Sequence, residues 1–157
     1  MISLQFFTKE DLSEVNYTLD EIQIQYTSTA EMALQRIKER DDQKAFPITI
    51  FDNEKPVGFF VLDFGDDKFD LTDNPNSTLL RSLSINPELQ GKGIGKAAML
   101  EIDDFIRQNF KTCDEIVLAV NQNNISAYEL YLKVGYFYDG KTRVGRSGPQ
   151  YLMYKKL

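Results

Sequence analysis

Alternating apolar and polar positions from Ile2 to Phe7 predict a first strand, and Thr8 follows as an N-cap for a short helix through Lys9-Glu10-Asp11-Leu12. Val15 to Ile24 reads as helix with poorly marked ends. Thr27-Ser28-Thr29 supplies a second cap, and the next helix, Ala30 to Arg40, sets Ala30, Ala33, Leu34 and Ile37 on one side. Ala45 to Phe51 is a strand and Val57 to Phe64 its return, joined by Asp52-Asn53-Glu54-Lys55-Pro56, a connection longer than a two-residue hairpin loop. Gly65 to Asn76 carries Asp66, Asp67, Asp70 and Asp73. It reads either as a solvated loop or as an acidic rim that attracts a cation.

Further on, Thr78 to Asn86 predicts a strand with Leu79, Leu83 and Ile85 apolar and Arg81 breaking the series. A long helix follows from about Gly93 to Phe110. Ile94, Ala98, Ile102, Phe105 and Ile106 make its buried stripe, with Glu101, Asp104 and Gln108 toward water. The continuous apolar run Ile116 to Val120 suits a strand covered on both faces. Asn121 to Asn124 closes that strand. Ser126 to Val134 forms a short helix that Gly135 ends as a left-handed cap. Tyr136 to Asp139 is a strand, the segment to Gln150 a turn, and Tyr151 to Lys155 the closing strand. Hairpins first, then strands alternating with helices, predict an α/β fold: a mixed sheet with helices on both faces.

At 157 residues the chain predicts a single domain over 1–157, and 42% hydrophobic with 12% aromatic residues excludes a disordered chain. The net charge of −6 argues against a nucleic-acid partner and suits a cationic small substrate. One cysteine, Cys113, excludes an intrachain disulfide and a cysteine-cluster metal site. The absence of histidine excludes a histidine base, a Ser-His-Asp triad and a histidine-bound metal. The N-terminus has no signal-peptide pattern, and no apolar run approaches the roughly 18 residues of a membrane span. A cytoplasmic protein with no membrane partner is expected.

The richest chemistry lies in Gln90-Gly91-Lys92-Gly93-Ile94-Gly95-Lys96, between a strand and a helix. Glycines at alternate positions let the backbone turn sharply and approach a ligand closely. A helix N-terminus offers unpaired N–H groups and partial positive charge, together a seat for a pyrophosphate, and Lys92 and Lys96 add charge. The spacing is not the G-x-G-x-x-G of a dinucleotide-binding turn, nor the G-x-x-x-x-G-K-[ST] of a P-loop. A glycine-rich connection without a ligand remains the alternative. The pattern [QR]-x-x-G-x-[GA] is met, and it resembles the acetyl-CoA loop of the GNAT N-acetyltransferase superfamily.

A second motif, Val120-Asn121-Gln122-Asn123-Asn124 through Ala127, Leu130-Tyr131, Lys133 and Gly135-Tyr136, follows about 30 residues later. It is similar to the V-N-x-x-N-x-x-A-x-x-L-Y-x-K-x-G-F of the same superfamily, with Tyr136 in place of Phe. The resemblance is firm from about Leu79 to Leu157. It implies a mostly antiparallel mixed sheet with one splayed parallel strand pair, acetyl-CoA as co-substrate and no metal. It also implies cofactor contacts from Leu83, Ser84 and Ile85, from the loop residues Gln90 to Lys96, and from Asn121, Asn124, Tyr131 and Lys133. The pantetheine would lie between the strands ending at Ile85 and Val120. The Ile85 N–H would hold the thioester oxygen, and Tyr131 would return a proton to the CoA thiolate. Asn124 serves equally well as a helix cap.

No glutamate stands where some members carry one, since that region is Asn76-Ser77-Thr78; Glu21, Glu54, Asp63 or a water chain could substitute as base. Gln23 to Tyr26 followed by Thr27-Ser28-Thr29 resembles the first helix pair of bacterial spermine/spermidine acetyltransferases. The implied reaction is acetyl transfer to a primary amine by direct attack, the acceptor a small amine such as a polyamine. The alternatives are a non-catalytic acetyl-CoA-binding regulatory or interaction domain, or an acetyltransferase for protein N-termini or lysines. Tyr151 and Tyr154, read as exposed on a terminal strand, permit a homodimer edge.

Overall fold

The computed structural model describes all residues from Met1 to Leu157. Seven strands form one sheet: β1 (Ile2–Phe6), β2 (Ala45–Asp52), β3 (Lys55–Asp63), β4 (Ser77–Ile85), β5 (Glu115–Asn121), β6 (Phe137–Gly145) and β7 (Gly148–Lys156). Their spatial order is β1-β2-β3-β4-β5-β7-β6. Every neighbouring pair is antiparallel except β4 and β5, which run parallel and pair only from Ser77–Glu115 to Leu79–Val117. Beyond Leu79 the two strands separate. The expected mixed sheet with one splayed parallel pair is therefore present.

Five helices cover the sheet: α1 (Leu12–Val15), α2 (Gln23–Tyr26), α3 (Ala30–Arg40), α4 (Ile94–Asn109) and α5 (Ile125–Lys133). Apolar residues of β2, β3, β4 and β5 pack on one face with Ala98, Met99, Ile102 and Ile106 of α4. On the other face, Val15 of α1 and Ala30 and Ala33 of α3 pack against Ala45, Phe59 and Val61. Alternation along β3 divides these faces: Phe60 and Leu62 look toward α4, Phe59 and Val61 toward α3.

Several sequence expectations shift. Val15 to Ile24 is not one helix: only Gln23–Tyr26 is helical after Val15, and Leu19 is buried from the irregular segment between them. The β2–β3 hairpin closes in two residues, Asn53-Glu54, with Asp52 opposite Lys55 and Asn53 at φ 57°. Strands β6 and β7 extend to Gly145 and from Gly148, so most of the expected turn is a long hairpin. Strand β7 lies between β5 and β6 rather than at an edge, and Tyr151 and Tyr154 are half-buried. Tyr151 packs with tilted rings on Tyr128 and Tyr138 at 4.9 and 4.6 Å, and Tyr154 on Phe137 at 6.0 Å, so neither residue marks a free edge.

The acidic loop is likewise no open rim. Asp63 and Asp67 bond the guanidinium of Arg81, and Arg40 reaches Asp63 at 2.6 Å. Of the four loop aspartates only Asp66 and Asp73 have no ion-pair partner, since Asp70 stands 3.5 Å from Arg143.

Candidate active site

The separation of β4 from β5 opens a cleft of about 660 Å³. A β-bulge shapes its β4 wall. Val61 lies opposite Arg81 and Phe59 opposite Ser84, so Ser82 and Leu83 together face Phe60. Ser82 takes φ 58° to make the bulge. The extra residue reverses which side chains face which helix layer. Before it Leu80 points toward α4; after it Leu83 and Ile85 do, while Ser82 and Ser84 face the α3 side. That reversal explains why Arg81 interrupts the apolar alternation.

Beyond the bulge, Asn86 N–H donates to Val57 O at 2.9 Å. The Gly58–Ile85 pair is therefore the non-hydrogen-bonded kind, and Ile85 turns its own N–H and C=O away from β3 into the cleft. The Ile85 carbonyl accepts from Gln23 Nε2 at 3.0 Å.

At the mouth, Gly91 and Gly93 both adopt left-handed φ, 78° and 79°, and Gly93 caps α4. The first helical bond of α4 runs from Ala97 N–H to Gly93 O at 3.1 Å. The amides from Gly91 through Lys96 find no acceptor in the protein. This is a row of N–H donors at a positive helix end, the chemistry that holds a diphosphate. A β-carbon at Gly91 or Gly93 would meet no protein atom within 4 Å, so both amides stand open on the outer side.

Leu83, Ser84, Ile85, Gln90, Gly91, Gly93, Ile94, Gly95, Asn121, Asn124 and Tyr131 all line the cleft. Lys92, Lys96 and Lys133 do not; each is solvent-exposed beside it. Asn124 caps α5 by accepting from Ala127 N–H at 3.4 Å. The side chain of Asn121 is committed to the chain itself, donating to Ser147 O at 2.9 Å and accepting from Asn123 N–H at 2.8 Å.

Tyr131 projects from α5 with its ring 5.8 Å from that of Tyr136. Burial pushes its phenol up to about 12, so it stays protonated at any working pH. Of the base candidates, Glu21 and Glu54 lie outside the cleft lining. Burial alone would raise the Asp63 carboxyl, but bonds from Arg40, Gly65 N–H and Arg81 hold it below the usual carboxylate range, which makes it a poor base.

The opposite wall holds Tyr17, Ser82, Arg36 and Arg146, which the sequence pattern does not single out. Tyr17 and Ser84 share a hydrogen bond of 2.7 Å between their hydroxyls. Ser28 Oγ bonds Ser82 Oγ at 3.2 Å and in turn accepts from Arg36. Arg146, at the β6–β7 tip, donates to the carbonyls of Ile24, Gln25 and Thr27 at 3.0 to 3.4 Å. None of these pairings has a local signature, because each joins segments 50 or more residues apart apart from Ser28–Arg36.

A splayed parallel strand pair with an amide-lined turn at a helix end has the shape and donors to hold an acyl-CoA. Residues 12–136 match the Acetyltransferase (GNAT) family, and the chain belongs to it. It is an acetyl-CoA-dependent acyltransferase. It is 37% identical, over 99% of its length and 98% of the relative's, to the uncharacterized N-acetyltransferase YbbJ of Bacillus subtilis (strain 168). It is 28% identical to the spermine/spermidine N(1)-acetyltransferase of that organism, over 76% of each chain. The fold also matches the aminoglycoside acetyltransferase AAC(6')-Ib solved with paromomycin and acetyl-CoA: TM-score 0.79, 18% identity, covering 99% of this chain and 93% of that one. For spermidine N-acetyltransferase from Vibrio cholerae, solved with CoA and spermine, the TM-score is 0.71 at 20% identity, covering 99% and 95%.

Proposed function

We propose that the protein moves an acetyl group from acetyl-CoA to a small primary amine by direct attack within a ternary complex. The observation that carries this reading is the run of acceptor-free amides from Gly91 to Lys96 at the mouth of the β4–β5 cleft. The diphosphate would sit on those amides. The pantetheine would pair with the cleft-facing backbone of β4, where the Ile85 N–H has no acceptor in the protein. The Ile85 N–H would receive the thioester oxygen as negative charge builds on it. The amine would attack from the α3 side, the tetrahedral intermediate would collapse, and Tyr131 would give its proton to the departing thiolate. The one acidic residue lining the cleft, Asp20, accepts from the amides of Ile22 and Gln23, so the ammonium would lose its proton to solvent.

A polyamine acceptor draws support from the name of the 28% identical relative and none from the cleft lining, which is basic rather than acidic. Titration calorimetry with CoA, paired with thiol release from acetyl-CoA in the presence of a primary-amine panel, tests the reading. Micromolar CoA binding with amine-dependent thiol release is expected. A protein that binds no CoA would overturn it, and one that binds CoA but transfers to no amine would be the non-catalytic domain.

A further inference from the structure

The side of the cleft away from the diphosphate seat is unusually basic for this chain. Arg36, Arg81, Arg143 and Arg146 all line it, in a protein whose net charge is −6. Two of the four are answered by acids. Arg81 bonds Asp63 and Asp67 at 3.1 and 2.9 Å, and Arg143 stands 3.5 Å from Asp70. Arg36 and Arg146 are not: their hydrogen bonds run to Ser28 Oγ and to backbone carbonyls, leaving both charges uncompensated. They also work against each other. Burial, then Arg81, then Arg146 lower the pKa of Arg36. Like charges held together without counter-ions cost stability, and an anion brought between them removes that cost.

Coenzyme phosphates are not that anion. Their seat is the N-terminus of α4, on the sheet face packed by α4. Arg36 lies on α3, on the opposite face, and Arg146 on the β6–β7 tip that grips the α2–α3 connection. An acceptor entering from that face meets Arg36 and Arg146 before its amine reaches the thioester beside Ile85. Both side chains are solvent-exposed, so a ligand can reach them.

We propose that the acceptor is a primary amine that also carries a carboxylate, and that Arg36 and Arg146 are the carboxylate's receptor. This rests on the acetyl-transfer reading for the purpose of the site, though not for the binding preference itself. A planar guanidinium fork matches a carboxylate in geometry as well as charge. A polycation would bring two or more ammonium groups against the same pair and be repelled.

The test is equilibrium binding to the CoA-loaded protein, which needs no turnover. The probes are L-amino acids, the matching L-amino acid amides, and spermidine. At least one amino acid is expected to bind about tenfold or more tighter than its amide, the worth of one charge-assisted pair. R36Q should erase that preference while leaving CoA affinity unchanged, R146Q should erase it as well, and Arg146→Lys should restore part of it. R36Q guards the test against a folding defect, since Arg36 holds only Ser28. Equal affinity for acid and amide, tighter binding of spermidine, or no amino acid bound at 10-millimolar order would each overturn the proposal. Intact carboxylate preference without acetyl transfer to any amine would instead sink the catalytic reading and leave this one standing.

Discussion

Tyr131 illustrates how one residue's surroundings decide its use. A phenol ordinarily loses its proton near pH 10. Here burial lifts that point to about 12. The acid form is the one the mechanism needs, and the raised pKa extends its range upward. The alkaline limb of kcat should therefore stay flat through about pH 10 and fall only as pH approaches 12, which a pH–rate profile reads directly. Removing the hydroxyl as Tyr131→Phe should lower kcat about 10²-fold or more, the usual worth of a positioned acid. CoA affinity should hold within about twofold, because the ring still packs on Tyr136. An unchanged kcat would assign thiolate protonation to solvent.

The elements deliver these residues, and the strand–turn–helix from β4 to α4 does most of it. Gly95 lies in the first turn of α4, where a β-carbon would stand 3.9 Å from Ile85 Cγ1 and from Leu130 Cδ2, ordinary contacts. Its φ is not in the left-handed region, unlike those of Gly91 and Gly93. Gly95→Ala should therefore fold normally and gain up to about 1 kcal/mol from helix propensity. CoA should nonetheless bind tenfold or more weakly, since the methyl projects into the cleft where the ligand approaches the helix end. Thermal unfolding paired with calorimetry separates the two effects; full CoA affinity would remove Gly95 from the diphosphate seat. This element was legible in the sequence because its signals are local: a glycine spacing, a strand before it and a 3.6-residue period after it. Helices α3 and α4 were legible for the same reason, a cap followed by a regular apolar stripe. The bulge at Ser82–Leu83 was not, since one inserted residue looks like a flaw in alternation until the partner strand is known. Strands β6 and β7 read as shorter in the sequence than they are, because Gly140, Gly145 and Gly148 interrupt their pattern and what holds them extended is pairing with each other and with β5. The arginine-lined wall was invisible for a related reason. Arg146 meets Ile24 across 122 positions of chain.

At the scale of the whole molecule, one buried carboxylate ties the two halves of the cleft together. Asp63 ends β3, fully buried, and bonds Arg40 from the last turn of α3 and Arg81 from β4 just before the bulge. The helix that carries Arg36 and the strand that carries Ile85 are thus fastened at one point. Its pKa is held down in the folded state, burial being outweighed by the two guanidiniums and the Gly65 amide. The unfolded carboxyl titrates near ~3.9. The stability from this depression is therefore complete above that value and is lost as pH falls through the lower folded pKa. Asp63→Asn should destabilise the protein by about 3–5 kcal/mol, because it removes the buried charge that two part-exposed guanidiniums share. It should also flatten the acid side of the stability curve below about pH 4. Since Arg40 and Arg81 keep Asp42 and Asp67 as partners, the loss should fall at the lower end of that range. The functional consequence should be one-sided. The α4 N-terminus shares no hydrogen bond or ion pair with this network, so CoA should bind Asp63→Asn as it binds the parent, while acceptor KM rises as α3 shifts against β4. Denaturant unfolding as a function of pH, with CoA calorimetry and acceptor KM on the same variant, checks all three. An equal loss at both ends would show that the cleft moves as one body rather than as two walls pinned at Asp63.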